Sequence, residues 1–440
     1  MADIARAGGR SAGMSGRRPS RIVLISGSSL CHNPRVMKAA TTLARSGYDV
    51  HVLGAWLEAD LKARDQAMLA QAPFRFEPVF DATLPGLRHA AMHALRRARR
   101  KTANTVYALT GWQSRDQLGY GIGRLLARAR ALAADLYIAH SEPALYVAWR
   151  LMQDGRRAGV DMEDWFSEDL LPESRRRRPL RLLRFLEREL LVRGVYASCP
   201  SRVLSAALAK EYGGKPPIVL YNAFPWTDRN AIDGRCKDRR NSAIASICWY
   251  SQTLGPGRGI EDLVGAMPLL KCEAEIHLRG RAAPGMADWI RDRIPEHWRQ
   301  RVFFHPLVSN EELLSRIAEH DIGFAGEMPY CRSRDLTVTN KILHYLLGGL
   351  AVVASDTAGQ REVAMQASGA VTLYEPGNPV ALAQALRTLI DSPDNLARAK
   401  AASLQAAERT FCWERQEPVL LQNVQEALRE TRATSCASHS

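Results

Sequence analysis

The sequence predicts an α/β chain of two Rossmann-like, doubly wound domains. Three observations lead to that fold class. Residues 21–53 run through a short apolar stretch, a small-residue loop, an amphipathic stretch, a glycine and a second apolar stretch. The same alternation resumes near residue 243 and repeats to about 373. Between the two series, residues 227–241 (TDRNAIDGRCKDRRN) are polar, charged and almost free of large apolar groups. Alternating strand and helix patterns specify parallel sheets. At 440 residues the chain is too long for one ordinary core, so two domains of roughly 150–220 residues are expected.

In the first series, RIVLI at 21–25 predicts a buried strand, followed by a Ser/Gly loop at 26–29. A helix is expected from about 33 to 46. Gly47 ends it, as a glycine just past a helix end does, and YDVHVL at 48–53 predicts the next strand. This is one βαβ unit. Further strands are expected at 136–139, 160–162, 196–198 and 218–220. Residues 227–241 are expected to link the domains. The second series predicts strands at 243–249, 275–278, 302–304, 322–325, 350–354 and 370–373. A Gly-rich loop at 255–259 leads into a helix at 260–270, and helical stretches at 379–391 and 395–430 close the chain. These boundaries divide the chain into 21–226, 227–241, 242–410 and 411–430, with disorder expected at 1–20 and 431–440.

Composition narrows the function classes. The apolar and charged fractions, 46% and 24%, are those of a globular protein. No apolar run approaches the roughly 20 residues that span a bilayer, and the basic first twenty residues lack the apolar centre of a signal peptide. Eight cysteines are scattered without a C-x-x-C pair, which gives no metal-binding spacing and fits a reduced, cytoplasmic setting. The net charge of +14 is unevenly spread: residues 1–225 hold 35 Lys and Arg against 20 Asp and Glu, the remainder 25 against 26. Nucleic acid, an anionic membrane surface or an acidic substrate would each suit such a half.

Within that half, RHAAMHALRRARRK at 88–101 interleaves cations with Ala, Met and Leu at helical spacing. It reads equally as an amphipathic helix lying on an anionic membrane and as a solvated helix face. No aromatic residues are interleaved for base stacking, so no nucleic-acid partner is expected.

The most informative stretch is TNKILHYLLGGLAVVASD at 339–356: a polar helix start, an apolar helix, a Gly-Gly break and a strand. Unpaired N–H groups and the helix dipole favour an anion at such a helix start. A cation there, Lys341, opposes the dipole unless something anionic is present, whereas Asn340 is also open to a simple capping role. In GPGRG at 255–259, glycines let the backbone approach a phosphate and Arg258 offers a fork of donors.

The segments 250–270 and 337–363, together with 33–53 and 196–224, resemble the GT-B glycosyltransferases, especially the retaining family four. The resemblance extends over about 21–425. It implies two facing domains and, from Phe411-Cys412-Trp413 and the following helix, a C-terminal helix that crosses back to the first domain. It implies a donor site in the second domain, with Arg258 and Lys341 on the diphosphate and Gln252, Thr253, Gly257 and Asn340 close by. Many family members carry two glutamates eight positions apart, the later one holding the ribose. Those positions are Leu336 and His344 here. Histidine can still hydrogen-bond a hydroxyl. Glu327 is a nearby substitute for the missing carboxylate, or simply an exposed loop residue.

On the other side of the cleft, the resemblance places Ser28 and Arg35 towards the acceptor, although Arg35 is equally open to a surface position. His140, just beyond a strand, reads as a catalytic or a structural histidine. Asp161 and Asp164 in DMEDWFS at 161–167 would orient or deprotonate an acceptor hydroxyl, or else balance the arginines at 175–178. No metal or other cofactor is expected, because GT-B enzymes generally stabilise the departing diphosphate with basic groups and helix dipoles. The expected partners are a nucleotide-sugar donor and a glycan or lipid-linked acceptor, with the protein in the cytoplasm or peripheral on the inner membrane face. A sugar-nucleotide epimerase of the same fold and a non-catalytic scaffold protein are the rival readings.

Overall fold

The structure is a computed structural model that describes residues 18–430. The expected disorder at 1–17 and 431–440 lies outside the described residues. Two all-parallel sheets carry the architecture. The first contains β1 (Arg21–Ile25), β2 (Asp49–Trp56), β3 (Arg75–Asp81), β4 (Leu136–Ala139), β5 (Ala158–Asp161), β6 (Ala197–Cys199) and β7 (Ile218–Val219), in the order β3-β2-β1-β4-β5-β6-β7. The second contains β8 (Ala245–Leu254), β9 (Ala274–Ala282), β10 (Val302–His305), β11 (Ile322–Ala325), β12 (Ala351–Ser355) and β13 (Val371–Tyr374), in the order β10-β9-β8-β11-β12-β13. The central strands are apolar on both faces because helices cover both sides. Ile22 to Ile25 and Ala351 to Ala354 are fully buried.

The sequence reading missed β3. Its RFEPVFD composition contains a proline and alternating polar residues, which a strand tolerates at the sheet edge, where β3 sits. The expected strand at 243–249 continues instead to Leu254, past a register shift between Tyr250 and Thr253, so Gln252 and Thr253 lie on the strand. The expected helix at 260–270 ends at Ala266 and tightens into a 3-10 turn at Met267–Leu269, where Pro268 cannot continue the α ladder.

The helical block expected at 395–430 is two helices, Pro393–Arg409 and Trp413–Arg429. Their break is pinned by tertiary contacts: Phe411 is buried, and the Trp413 N–H donates to the Phe224 carbonyl at 2.9 Å. The final helix then packs in the first domain. Trp413, Leu420, Val424 and Ala427 share one core with Ile22, Leu24, Val36 and Leu43. The Trp413 indole N–H donates to Thr42 Oγ1 at 2.9 Å.

Residues 227–241 lie along the second domain, held by their charges. Arg316 donates to both Asp233 oxygens at 2.7 and 2.6 Å, and buried Asp238 pairs with Arg279. A second seam joins the domains beside the cleft. Glu362 of the second domain accepts from the Arg202 and Val203 N–H groups at 2.9 and 3.0 Å, satisfying the start of the helix Arg202–Tyr212 in the first. Ser201 Oγ donates to the Leu336 carbonyl at 2.6 Å, and the Trp165 N–H donates to Ser333 Oγ at 3.0 Å. The cysteines among the described residues are all free. Among the described residues, no helix is long and apolar enough to cross a membrane.

The crossing helix is anchored by one large side chain. Trp413→Ala is expected to destabilise the protein by about 3 kcal/mol or more, read as a lower urea midpoint in equilibrium unfolding.

Candidate functional site

The carboxyl ends of both sheets face a cleft of about 880 Å³, the place where open α/β sheets bind ligands. On the second-domain wall, Gly257 and Gly259 adopt positive φ of +73° and +76°. A Cβ at Gly259 would meet the Gly326 backbone at 2.7 Å, so only glycine lets this loop pack so closely. The Gly257 N–H donates to Glu261 Oε1 at 2.9 Å, so it is already satisfied. Arg258 lines the cleft and donates to Ser251 Oγ at 3.0 Å. No carboxylate pairs with it among the described residues. Gln252 and Thr253 are exposed on the same wall.

Lys341 is the second residue of the helix Asn340–Gly348 and is buried. It forms an ion pair with Glu327. The anion that a cation at this helix start calls for is thus supplied within the protein. Glu327 is not an exposed loop glutamate: it is buried at the end of β11, directly beside that helix, and its N–H donates to Ser355 Oγ at 2.8 Å. Nor does Asn340 cap the helix. Thr339 occupies the N-cap, and the Asn340 side-chain oxygen accepts from Asn222 across the cleft at 2.8 Å.

His344 lies one turn further along, at the position where the family pattern has a glutamate. Its ring stacks on Phe224 at 3.4 Å between centroids, and its Nδ1 lies 2.5 Å from the Tyr250 hydroxyl. Burial, and then the charge of Lys38, push its pKa down to about 3, so the ring is neutral at pH 7. A neutral imidazole hydrogen-bonded to Tyr250 borders the cleft in place of a carboxylate.

On the first-domain wall, Arg35 is not a surface residue. It is buried, and its Nε and Nη2 donate to Asp161 at 2.6 and 2.8 Å, while Nη1 donates to the Leu220 carbonyl at 2.5 Å. With all three nitrogens engaged, Arg35 braces the cleft floor, which it also lines. Asp161 is correspondingly withdrawn. Burial alone would raise its pKa, but Arg35 and then His140 hold it below the ordinary carboxylate range. It is therefore an ionised structural partner and not an accessible base. The arginines at 175–178 do not balance this cluster: Arg175 pairs with Glu168 and Arg178 with Glu142.

His140 is buried with Nδ1 at 3.0 Å from Glu163 Oε1 and 3.5 Å from Asp161 Oδ2, and its Nε2 has no protein partner among the described residues. Glu163 lies in the same acidic stretch, between Asp161 and Asp164. Its carboxylate accepts from Asn33 Nδ2 at 2.9 Å as well as from His140, and it lines the cleft. Asp164 also lines the cleft. Burial first, then the charge of Asp169, push its carboxyl up to about 7 against the opposing pull of Arg334. A group so poised exchanges protons readily near neutrality. The Ser28 hydroxyl is 3.0 Å from Ser26 Oγ, and its carbonyl accepts from the Ala55 N–H.

Ligand atoms of His140, Asp161 and Glu163 lie within 4.8 Å of one another, which is compatible with a cation. The Arg35 guanidinium already supplies positive charge at that point.

The neutral His344 has a consequence for stability. Its folded pKa of about 3 lies below the ordinary 6.5, so between those values the unfolded chain binds a proton that the folded chain refuses. Its contribution is present above pH 6.5 and declines as the pH falls. His344→Gln is therefore expected to flatten the stability profile between about pH 6.5 and 4, by at most one proton, or about 1.4 kcal/mol per pH unit. Urea unfolding at a series of pH values checks this.

The "Glycosyl transferases group 1" family matches residues 246–392. No curated protein sequence matches the chain. Among solved structures, sucrose-phosphate synthase from Thermosynechococcus elongatus superposes with a TM-score of 0.68 at 14% identity, covering 92% of this chain and 98% of that one. HepE from Anabaena, in complex with UDP, gives 0.65 at 17%, covering 92% and 99%. A putative UDP-N-acetylglucosamine 2-epimerase from Listeria monocytogenes gives 0.57 at 12%, covering 94% and 97%. At these identities the likeness establishes the fold, and the family match falls on the second domain, where Arg258, Glu327 and Lys341 line the cleft. The chain thus has the GT-B fold, and its residues 246–392 match the family described as Glycosyl transferases group 1.

Proposed function

We propose that this protein transfers a sugar from a nucleoside diphosphate donor to an acceptor hydroxyl. The observation that carries the reading is the set of cationic groups converging on the cleft wall of the group 1 domain: Arg258, which no carboxylate neutralises among the described residues, and Lys341 at a helix start. A departing diphosphate develops negative charge, and fixed positive groups in a sheltered cleft are an effective way to stabilise it. Lys341 has three N–H donors, so its pairing with Glu327 leaves donors for a phosphate and also fixes the ammonium in place. Charge supplied in this way requires no metal. Gln252, Thr253 and the backbone at Gly257 flank the diphosphate. His344 and Tyr250 offer neutral hydrogen bonds to a nucleoside hydroxyl. HepE, the structural neighbour, was solved with UDP, which makes a uridine nucleotide the first candidate.

Across the cleft, Asp164 and Glu163 are the groups able to orient the acceptor hydroxyl and handle its proton, with His140, Asp161 and Arg35 holding them from behind. The family resemblance favours a hexosyl transfer with retained configuration, within glycan, exopolysaccharide or glycolipid assembly on the cytoplasmic side. A glycan or lipid-linked acceptor fits the basic first domain. The epimerase reading keeps a specific support, the epimerase neighbour of the same fold. It is distinguished by donor conversion without any acceptor. The scaffold reading is distinguished by nucleotide binding without turnover.

Calorimetric titration with UDP, GDP and ADP tests the donor site. One nucleotide is expected to bind selectively, and Arg258→Ala or Lys341→Ala to weaken it about tenfold or more, about 1.4 kcal/mol. Binding of none of the three would remove the assigned diphosphate site and put the scaffold reading ahead.

A further inference from the structure

The basic stretch noted in the sequence forms one 24-residue helix, Leu87–Thr110, on the outside of the first domain. Its sequence contains no Asp or Glu, and none of Arg88, Arg96, Arg97, Arg99, Arg100 and Lys101 pairs with a carboxylate among the described residues. A solvated surface helix turns its apolar stripe inward and its cations outward. This helix instead turns leucines outward and sets two of its arginines, Arg96 and Arg100, against the domain.

The inward face is polar and aromatic. His93, Arg96, Arg100, Ala103 and Tyr107 recur at spacings of three and four and are the more buried positions. Arg96 lies 4.3 Å over the Phe80 ring and Arg100 5.0 Å over the Tyr120 ring, so the helix is docked through stacked guanidinium groups. The outward face carries Leu87, Ala91, Ala94, Ala98 and Leu109 along one stripe, with Leu95 beside it. Leu87 is 90% exposed, Leu95 53% and Leu109 81%. Arg88 and Arg99 border the stripe on one side, and Arg97 and Lys101 on the other, all exposed. Beyond the glycine that ends the helix, Trp112 is 63% exposed. Arg181, from the second basic stretch, donates to the Gly111 carbonyl at 3.0 Å and makes the positive face continuous with the helix Leu180–Arg193.

We infer that the helix Leu87–Thr110 is a docking surface for an anionic lipid bilayer. Its outward Leu and Ala stripe enters the headgroup boundary, and the flanking cations meet lipid phosphates. Cations on both sides of an exposed apolar stripe, with a Trp at its end, match an interface that is apolar below and anionic above. A second copy of this chain fits poorly, because pairing two such faces would set cations against cations. Docking at this helix would hold the first domain at the bilayer surface, where a lipid-linked acceptor is found.

The test is sedimentation of the full-length protein with vesicles of phosphatidylcholine alone, and of phosphatidylcholine with roughly a third phosphatidylglycerol. Binding is expected to the anionic vesicles only and to weaken in high salt. The Leu95→Asp/Leu109→Asp double variant, altered only at exposed positions, is expected to lose about tenfold or more in partitioning with an unchanged urea midpoint. Equal binding to both vesicle types, no binding to either, or full binding by the folded double variant would overturn the inference. So would a wild-type dimer that the double variant converts to monomer, since it would assign the stripe to a second copy. The assay contains no donor, so its outcome is read separately from the nucleotide titration.

Discussion

The buried pair of Arg35 and Asp161 is the contact on which the cleft depends. Arg35 stands in the first turn of the helix after β1, Asp161 ends β5, and the Leu220 carbonyl that Arg35 also engages follows β7. One side chain therefore ties together the sheet centre, one cleft wall and the chain leaving the first domain. Removing either partner would strand a buried charge, which typically costs about 3–5 kcal/mol. One turn along the same helix, Lys38 donates to the Asn222 carbonyl and side-chain oxygen at 3.1 and 2.9 Å, and the crossing helix packs against this helix as well. The connection between the domains is thus organised around a single helix.

The functional geometry follows from that frame. Asp161, fixed by Arg35, lies near the His140 imidazole, and His140 with Asn33 positions Glu163 at the cleft surface. Asp164, without such a cation in direct contact, keeps a carboxyl near neutrality. Carboxylates of one stretch thereby acquire different roles: one buried and ionised, one held by Asn33 and His140, one free to exchange a proton. Across the cleft the logic is similar. Glu327 holds Lys341 in place, whereas Arg258 keeps its charge for the cleft. The paired lysine favours fixed position, and the arginine, without a carboxylate partner among the described residues, favours attraction of an anion.

Most of the architecture was legible in the sequence, because what specifies it is local. Apolar runs such as RIVLI and LAVVA are buried on both faces of a parallel sheet, and Gly47 and Gly349 end helices with positive φ. The exceptions have local causes too: β3 carries an edge-strand proline, and β8 is lengthened by a register shift. The candidate site was legible only in part. Residues at strand ends and helix starts stood out, and Arg258, Asp164, Gln252 and Thr253 do line the cleft.

The sequence by itself determined two α/β domains, the basic character of the first and the stretches from which a site would be drawn. Periodicity, turn residues and charge counts are properties of neighbours along the chain, and they survive without knowledge of packing. Only the tertiary structure decided that Arg35 serves Asp161, that Glu327 answers Lys341, that Glu163 reaches the cleft, and that the basic helix turns its leucines outward. Those outcomes join residues far apart in sequence or depend on which helix face meets the domain. The reason is physical: a charge or an apolar stripe has no fixed role until folding sets its dielectric surroundings and its partner.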